Sequence, residues 1–165
     1  MSNSTVLAAI RAFLSEAGIA FVEKEHAPTF TSQESAAARG EPLKIGAKAL
    51  VMKTDDMFRL FVLPADRRAD SAAIKRHLGV KKTRFAQPDE LLALVGLVPG
   101  SVPPFGRPVL PLPLYADVAL LEEPRMAFNA GSLTTSLVMA TVDYQRVCGA
   151  DWFSFSQPPE TADNL

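Results

Sequence analysis

Cysteine is almost absent from this chain. Cys148 is the single one in 165 residues, so neither an internal disulfide framework nor a multi-cysteine zinc site can be built. Histidine occurs only as His26 and His77, which excludes a three-histidine metal site. No cofactor is expected. Neither sign of charge is in excess: 17 Lys+Arg stand against 18 Asp+Glu, a net of −1. Bulk charge therefore does not hold this protein on nucleic acid, although a local basic face is compatible with it. No apolar run approaches the roughly 20 residues of a membrane span. The first 18 residues carry no basic region ahead of their apolar stretch, which Arg11 and Glu16 interrupt. They form an amphipathic helix rather than a signal peptide, so a cytoplasmic location without a membrane partner is expected. Phosphate-loop, dinucleotide-fingerprint, zincin and nucleophile-elbow motifs are all missing.

What remains is 48% hydrophobic and 21% charged, the composition of one globular domain with a real core. Ser4 is placed to cap a helix with apolar face Leu7, Ile10, Leu14 and Ala17, which Gly18 ends. A short strand follows over residues 19–25. Thr31 with Glu34 three residues on is a capping-box pattern opening a short helix that Gly40 and Pro42 close. Residues 47–53 and 57–63 are apolar, strand-like runs around a Thr54-Asp55-Asp56 turn, a hairpin pattern. Asp70 caps a helix over 71–78 that Gly79 ends. A strand over 82–86 precedes a helix with Pro88 in its first turn and Gly96 at its end.

From Gly96 to Pro113 the chain carries six prolines and three glycines, which confines it to loop. The segment is nevertheless apolar, so it is expected to pack rather than wave in solvent. Strands over 114–117, 125–130 and 135–140 follow, then a helix capped by Thr141 and closed by Gly149. Strands and helices alternate irregularly, without the rhythm of a doubly wound sheet. The expected fold is α/β of the α+β type: a mixed, curved, partly barrel-like sheet surrounded by short helices. A single domain over 1–155 is expected, with 156–165 as a disordered tail.

Four features bear on chemistry. Lys48 opens an apolar strand and shares a face with Leu50 and Met52. It either snorkels to water along its stem or holds an anion such as a phosphate at a pocket mouth. The Gly96-Leu97-Val98-Pro99-Gly100 segment is either a helix cap and turn or a backbone cradle whose amides reach a carbonyl or oxyanion. Asn129-Ala130-Gly131-Ser132 is either a hairpin turn or a pocket wall formed by the Gly131 backbone and the Ser132 hydroxyl. Asp143 is either compensation of a helix dipole or a carboxylate for an ammonium group. Between 67 and 84 lie Arg67, Arg68, Lys75, Arg76, Lys81, Lys82 and Arg84 against Asp70 alone, a net of +6 that leaves −7 elsewhere. Such a cluster is a solvated face or a landing strip for a phosphate backbone.

Five pieces of the chain occur in one order: HAPTFTSQESAA at 26–37, IGAKALVMK at 45–53, FVLPADRR at 61–68, GLVPGSVPPFG at 96–106 and NAGS at 129–132. In these it resembles the YbaK family, also called the prolyl-tRNA synthetase-associated editing domain, from about His26 to Gly149. The resemblance implies an aminoacyl-tRNA deacylase acting in trans on the ester at the terminal adenosine, with a synthetase as a further possible partner. It implies that Lys48 engages the terminal phosphate region and that Gly96, Pro99 and Gly100 hold the scissile ester. It also implies that His26, Phe30, Gly131 and Ser132 contribute to the substrate pocket and that Asp143 matches a family carboxylate. The substrate's own ribose hydroxyl is implied as a helper in hydrolysis. Ser132 stands where some members have histidine, and Lys24-Glu25 where some relatives have a nearby tyrosine. Both differences bear on whether alanine, serine, threonine or cysteine is accepted. The alternatives are a non-catalytic tRNA- or synthetase-binding module of the same fold, and a hydrolase of a small acyl substrate unrelated to tRNA.

Overall fold

The computed structural model describes residues 3–158. The N-terminal helix α1 spans Asn3–Glu16 and buries Val6, Ile10 and Leu14 completely. The helix starts one residue ahead of Ser4, which therefore lies in its first turn rather than at its cap. Strand β1 (Phe21–Glu25) leads to α2 (Ser32–Arg39), whose Thr31 Oγ1 accepts from the Glu34 amide at 3.1 Å. The Glu34 carboxylate reaches back to the Phe30 amide at 3.1 Å, and Gly40 closes the helix with a left-handed backbone.

The hairpin is β2 (Ala47–Thr54) and β3 (Met57–Pro64), turned at Asp55 with φ 54. Then come β4 (Arg68–Ala69), α3 (Ser71–Leu78), β5 (Thr83–Phe85) and α4 (Pro88–Val95). Asp70 caps α3 as expected, its side chain accepting from the Ala73 amide at 3.1 Å. Beyond the proline-rich loop lie β6 (Leu114–Asp117), β7 (Arg125–Asn129), β8 (Thr135–Ala140), α5 (Thr141–Val147), β9 (Asp151–Phe153) and β10 (Ser156–Gln157). Thr141 is the first residue of α5, and Ala140 occupies its cap.

Three sheets result. One is five-stranded and mixed, in the order β5-β2-β3-β6-β9. The β5–β2–β3 ladder is antiparallel, whereas β3–β6 and β6–β9 are parallel. A second, antiparallel sheet runs β1-β8-β7, and a third pairs β10 with β4. One isolated bridge, Gly46 to Ala127, joins the two larger sheets. The surface is therefore curved but not closed, so the partly barrel-like expectation gives way to two sheets meeting at a seam. Gly46 is needed there: a Cβ on it would come within 2.9 Å of Ala65 Cβ and 3.1 Å of Leu43 O.

The largest core cluster joins α1 to one face of β2, β3 and β6 and to the proline-rich loop. Leu97, Phe105, Val109, Leu110 and Leu112 of that loop are buried, as its apolar content predicts. Phe105 packs edge-on to Phe13, Phe128 and Tyr144. A second cluster, around Phe61, Ile74 and Phe155, fills the opposite sheet face beneath α3.

Strand pairing continues past Phe155, two residues into the expected tail. Ser156 and Gln157 pair with Ala69 and Arg68, because the Phe155 carbonyl and amide are anchored to the Asp70 amide and the buried Asp117 carboxylate. The rest of the expected tail, from residue 159, lies outside the described residues. Among the described residues no helix is long and apolar enough to cross a membrane.

Candidate active site

Strand β5 pairs only with Met52, Lys53 and Thr54 of β2. The Ala86 amide then donates to the Val51 carbonyl at 2.9 Å, and there the ladder ends. The backbone groups of an antiparallel strand point to alternate neighbours. The outward-facing groups of β2 are therefore those of the odd-numbered residues, and at Ala49 they meet no partner strand among the described residues. A groove with two lobes occupies this gap. Ala49, Leu50, Gly100 and Val102 are common to both lobes.

One lobe, of about 160 Å³, is polar. Lys48 lines it from β2, and Thr29, Phe30, Ser35 and Arg39 line it from α2 and the turn before it. Asn129 completes the wall. On α2 the lining residues Ser32, Ser35 and Arg39 are spaced three and four apart, which is one face of a helix. The other lobe, of about 210 Å³, is apolar and includes Val51, Phe85, Leu91 and Pro99.

Lys48 stands opposite Leu63 in the β2–β3 register, on the face of Leu50 and Met52 as expected. It is half-buried. Burial pushes its pKa below the ordinary 10.5, and the nearby Asp66 carboxylate partly opposes this. No carboxylate lines the polar lobe, so its charge comes from Lys48 and Arg39 alone.

Gly100 has φ 87, the left-handed region that favours glycine. Its carbonyl accepts from Asn129 Nδ2 at 2.6 Å, and its amide has no partner among the described residues. Asn129 is itself held. Ser136 Oγ donates to its Oδ1 at 3.1 Å, and His26 Nε2 lies 2.8 Å from the same Ser136 Oγ. Ser35 Oγ is 2.7 Å from Thr29 Oγ1, and Asn129 Nδ2 approaches it at 3.4 Å. A polar chain thus runs from His26 to the loop at Gly100.

The residues singled out in the sequence separate accordingly. Lys48, Gly100 and Phe30 line the polar lobe, and Pro99 lines only the apolar one. Gly96 lines neither; with φ 72 it caps α4, its amide donating to Leu92 O at 2.9 Å. His26 is not among the lining residues; it touches Ser136 instead. Gly131 and Ser132 lie outside both lobes, in the turn between β7 and β8, where Ser132 Oγ accepts from the Thr134 amide at 3.0 Å. Asp143 is also outside them, in the first turn of α5 beside Arg146 at 3.5 Å. Sequence reasoning misses Arg39, Ser35, Thr29 and Asn129 as lining residues. The 32/35/39 polar stripe on an otherwise alanine-rich helix is the available signal for two of them.

The basic cluster also divides. Lys75, Lys81, Lys82 and Arg84 surround one open depression of about 420 Å³ with Asp55, Thr83 and the unanticipated Lys53. Arg84 is paired with Glu90 at 2.7 Å, and Asp55 accepts from the Lys81 and Lys82 amides. Arg76 is not among the lining residues, Arg67 donates to Ser156 Oγ at 2.6 Å, and Arg68 belongs to β4. Lys48 and Lys53 are five residues apart on one strand, about 17 Å.

Residues 26–147 match the model of the aminoacyl-tRNA editing domain family. Over 150 residues the chain is 35% identical to the multifunctional Ser/Thr-tRNA deacylase ProXp-y of Escherichia coli (strain K12), covering 87% of this chain and 89% of that protein. It is also 35% identical over 100 residues to a proline–tRNA ligase of Shouchella clausii (strain KSM-K16), spanning 61% of this chain but only 17% of the ligase. Among solved structures, a crystal structure described as a candidate trans-editing enzyme for prolyl-tRNA synthetase superposes with a TM-score of 0.78. The two are 27% identical, with 93% of this chain and 98% of that one covered. The chain belongs to the aminoacyl-tRNA editing domain family.

Proposed function

We propose that the amino acid this trans-acting aminoacyl-tRNA deacylase removes is serine or threonine. The observation that carries this reading is the polar lobe, whose wall includes the hydroxyls of Thr29, Thr31, Ser32 and Ser35. A hydroxyl-bearing side chain finds hydrogen-bonding groups there that an alanyl group cannot use. The relative named for Ser/Thr-tRNA is similar over most of its length.

An aminoacyl ester is already activated, so orientation and charge stabilisation supply much of the rate. The partnerless Gly100 amide is the donor for the oxyanion that forms when water adds to the ester carbonyl. Asn129 is a positioning residue that holds the Gly100 peptide by its carbonyl. The ammonium of Lys48 stabilises the anionic charge of the nucleotide end. Phe30, 72% exposed at the lobe, offers a face for a base to stack on. The exposed basic depression at Lys75, Lys81 and Lys82 is a second contact for the tRNA backbone, and a synthetase is a further partner.

The test is a panel of seryl-, threonyl-, alanyl- and cysteinyl-tRNAs, with Lys48→Ala and Gly100→Ala as controls. Seryl- and threonyl-tRNA are expected to be hydrolysed fastest. Preference for alanyl- or cysteinyl-tRNA overturns the substrate assignment, and a Lys48→Ala variant as active as the parent overturns the site.

A further inference from the structure

Arg39, the last residue of α2, is the one buried cation among the described residues, only 8% exposed. Its Nε donates to Ser35 O at 3.0 Å, and its Nη1 is buried without any hydrogen-bond partner. Glu41 acts on it only through space and is itself held by Lys24 at 3.0 Å and Arg125 at 3.1 Å. Burial lowers the Arg39 pKa to about 10, which still leaves the guanidinium charged at neutral pH. A buried cation without a direct ion-pair partner is an expensive arrangement, and here Arg39 lines the same lobe as Lys48. Two cations line the lobe, and no carboxylate is among its lining residues.

We infer that Arg39 and Lys48 together seat a phosphate group, that of the nucleotide bearing the ester, and that Arg39 is a second anion-binding residue of the site. The choice of anion rests on the deacylase reading. The α-carboxyl of an aminoacyl ester is esterified and carries no charge, so the nearest anion on such a substrate is the nucleotide phosphate. A guanidinium presents a planar fork suited to two phosphate oxygens, and an ammonium adds a point charge.

The direct test is a crystal of the full chain soaked with AMP. The phosphate is expected on the Arg39 guanidinium and the Lys48 ammonium; density for it elsewhere overturns the inference. In calorimetric titrations AMP should bind at least about tenfold more tightly than adenosine. Arg39→Gln should reduce that difference to the part Lys48 supplies, Arg39→Lys should keep more of it, and Arg39→Gln/Lys48→Ala should abolish it. Equal binding of AMP and adenosine by the parent, or a preference undiminished in Arg39→Gln, overturns the proposal. Orthophosphate binding as tightly as AMP overturns the nucleotide assignment.

Deacylation by Arg39→Gln should show a raised KM for aminoacyl-tRNA with kcat little changed. A fall in kcat alone would move Arg39 to the ester and sink the proposal. Arg39→Gln should also melt no lower than the parent, because it removes a buried charge that no direct ion pair holds. A lower Tm that Arg39→Lys restores would show a structural role instead. If the parent hydrolyses no aminoacyl-tRNA yet still prefers AMP to adenosine, the deacylase reading fails and the phosphate seat stands.

Discussion

The two cationic regions of this protein are built on opposite principles. The depression around Lys53, Lys75, Lys81 and Lys82 has many positive charges, exposed at Lys81, Lys82 and Arg84 and partly so at Lys53 and Lys75, with Asp55 among them and Arg84 spoken for by Glu90. The polar lobe has two, Lys48 and Arg39, partly or wholly out of water and unopposed at the lining. Counting charges along the chain finds the first region and passes over the second. Water screens exposed charges within about 10 Å at ordinary salt, whereas buried ones keep their reach. The crowded region is therefore suited to steering and holding a polyanion loosely, and the sparse one to gripping a single group.

Substitutions and salt can break that comparison. The largest effect is expected from Lys48→Ala, a loss in kcat/KM on the order of 100-fold, read by single-turnover deacylation. Asn129→Ala comes next. It frees the Gly100 peptide without removing a charge, so a roughly tenfold fall confined to kcat is expected, with phosphate binding intact. Gly100→Ala should cost about 1–2 kcal/mol of stability, because alanine resists φ 87, while its Cβ would meet Leu133 at an ordinary 3.5 Å. Thermal melting measures that cost.

Removing both charges in Lys81→Gln/Lys82→Gln should leave kcat alone and raise KM several-fold. The log–log salt slope of tRNA binding should become shallower by about one for each phosphate that is no longer neutralised. The smallest effect concerns pH. Lys48 loses its proton more readily than a free lysine, so activity that needs its charge should decline, as pH rises, before the ordinary 10.5 is reached. An alkaline limb at or above 10.5, after subtraction of spontaneous hydrolysis, would refute that.

Much of the fold is legible in the sequence because its signals are local. Asp70 before α3, Thr31 before α2 and the glycines behind α2, α3 and α4 act on neighbours a few residues away. The short strands β4, β9 and β10 are not legible, since two or three residues cannot display a period and β9 is held by parallel pairing to β6, far off in the chain. In the site, Lys48 is readable from a charge set into an apolar strand. Arg39 and Lys53 are not, because which face of α2 and which end of β2 meet a cavity is decided by packing. At Gly96, Gly131 and Asp143 the plain explanations of cap, turn and first-turn carboxylate suffice, and none of the three lines the groove.

The seam between the larger sheets also bears on the site. Among the described residues the Gly46–Ala127 bridge is the one strand pairing across it, and the small residues Gly46, Ala47 and Ala65 lie both beside it and along the polar lobe. Enlarging Ala65 or Ala127 would wedge the two halves apart by a fraction of a side chain while leaving every ladder within each half intact. The width of the polar lobe is thus set by small residues at the joint of the two sheets as well as by its charged and hydroxyl-bearing ones.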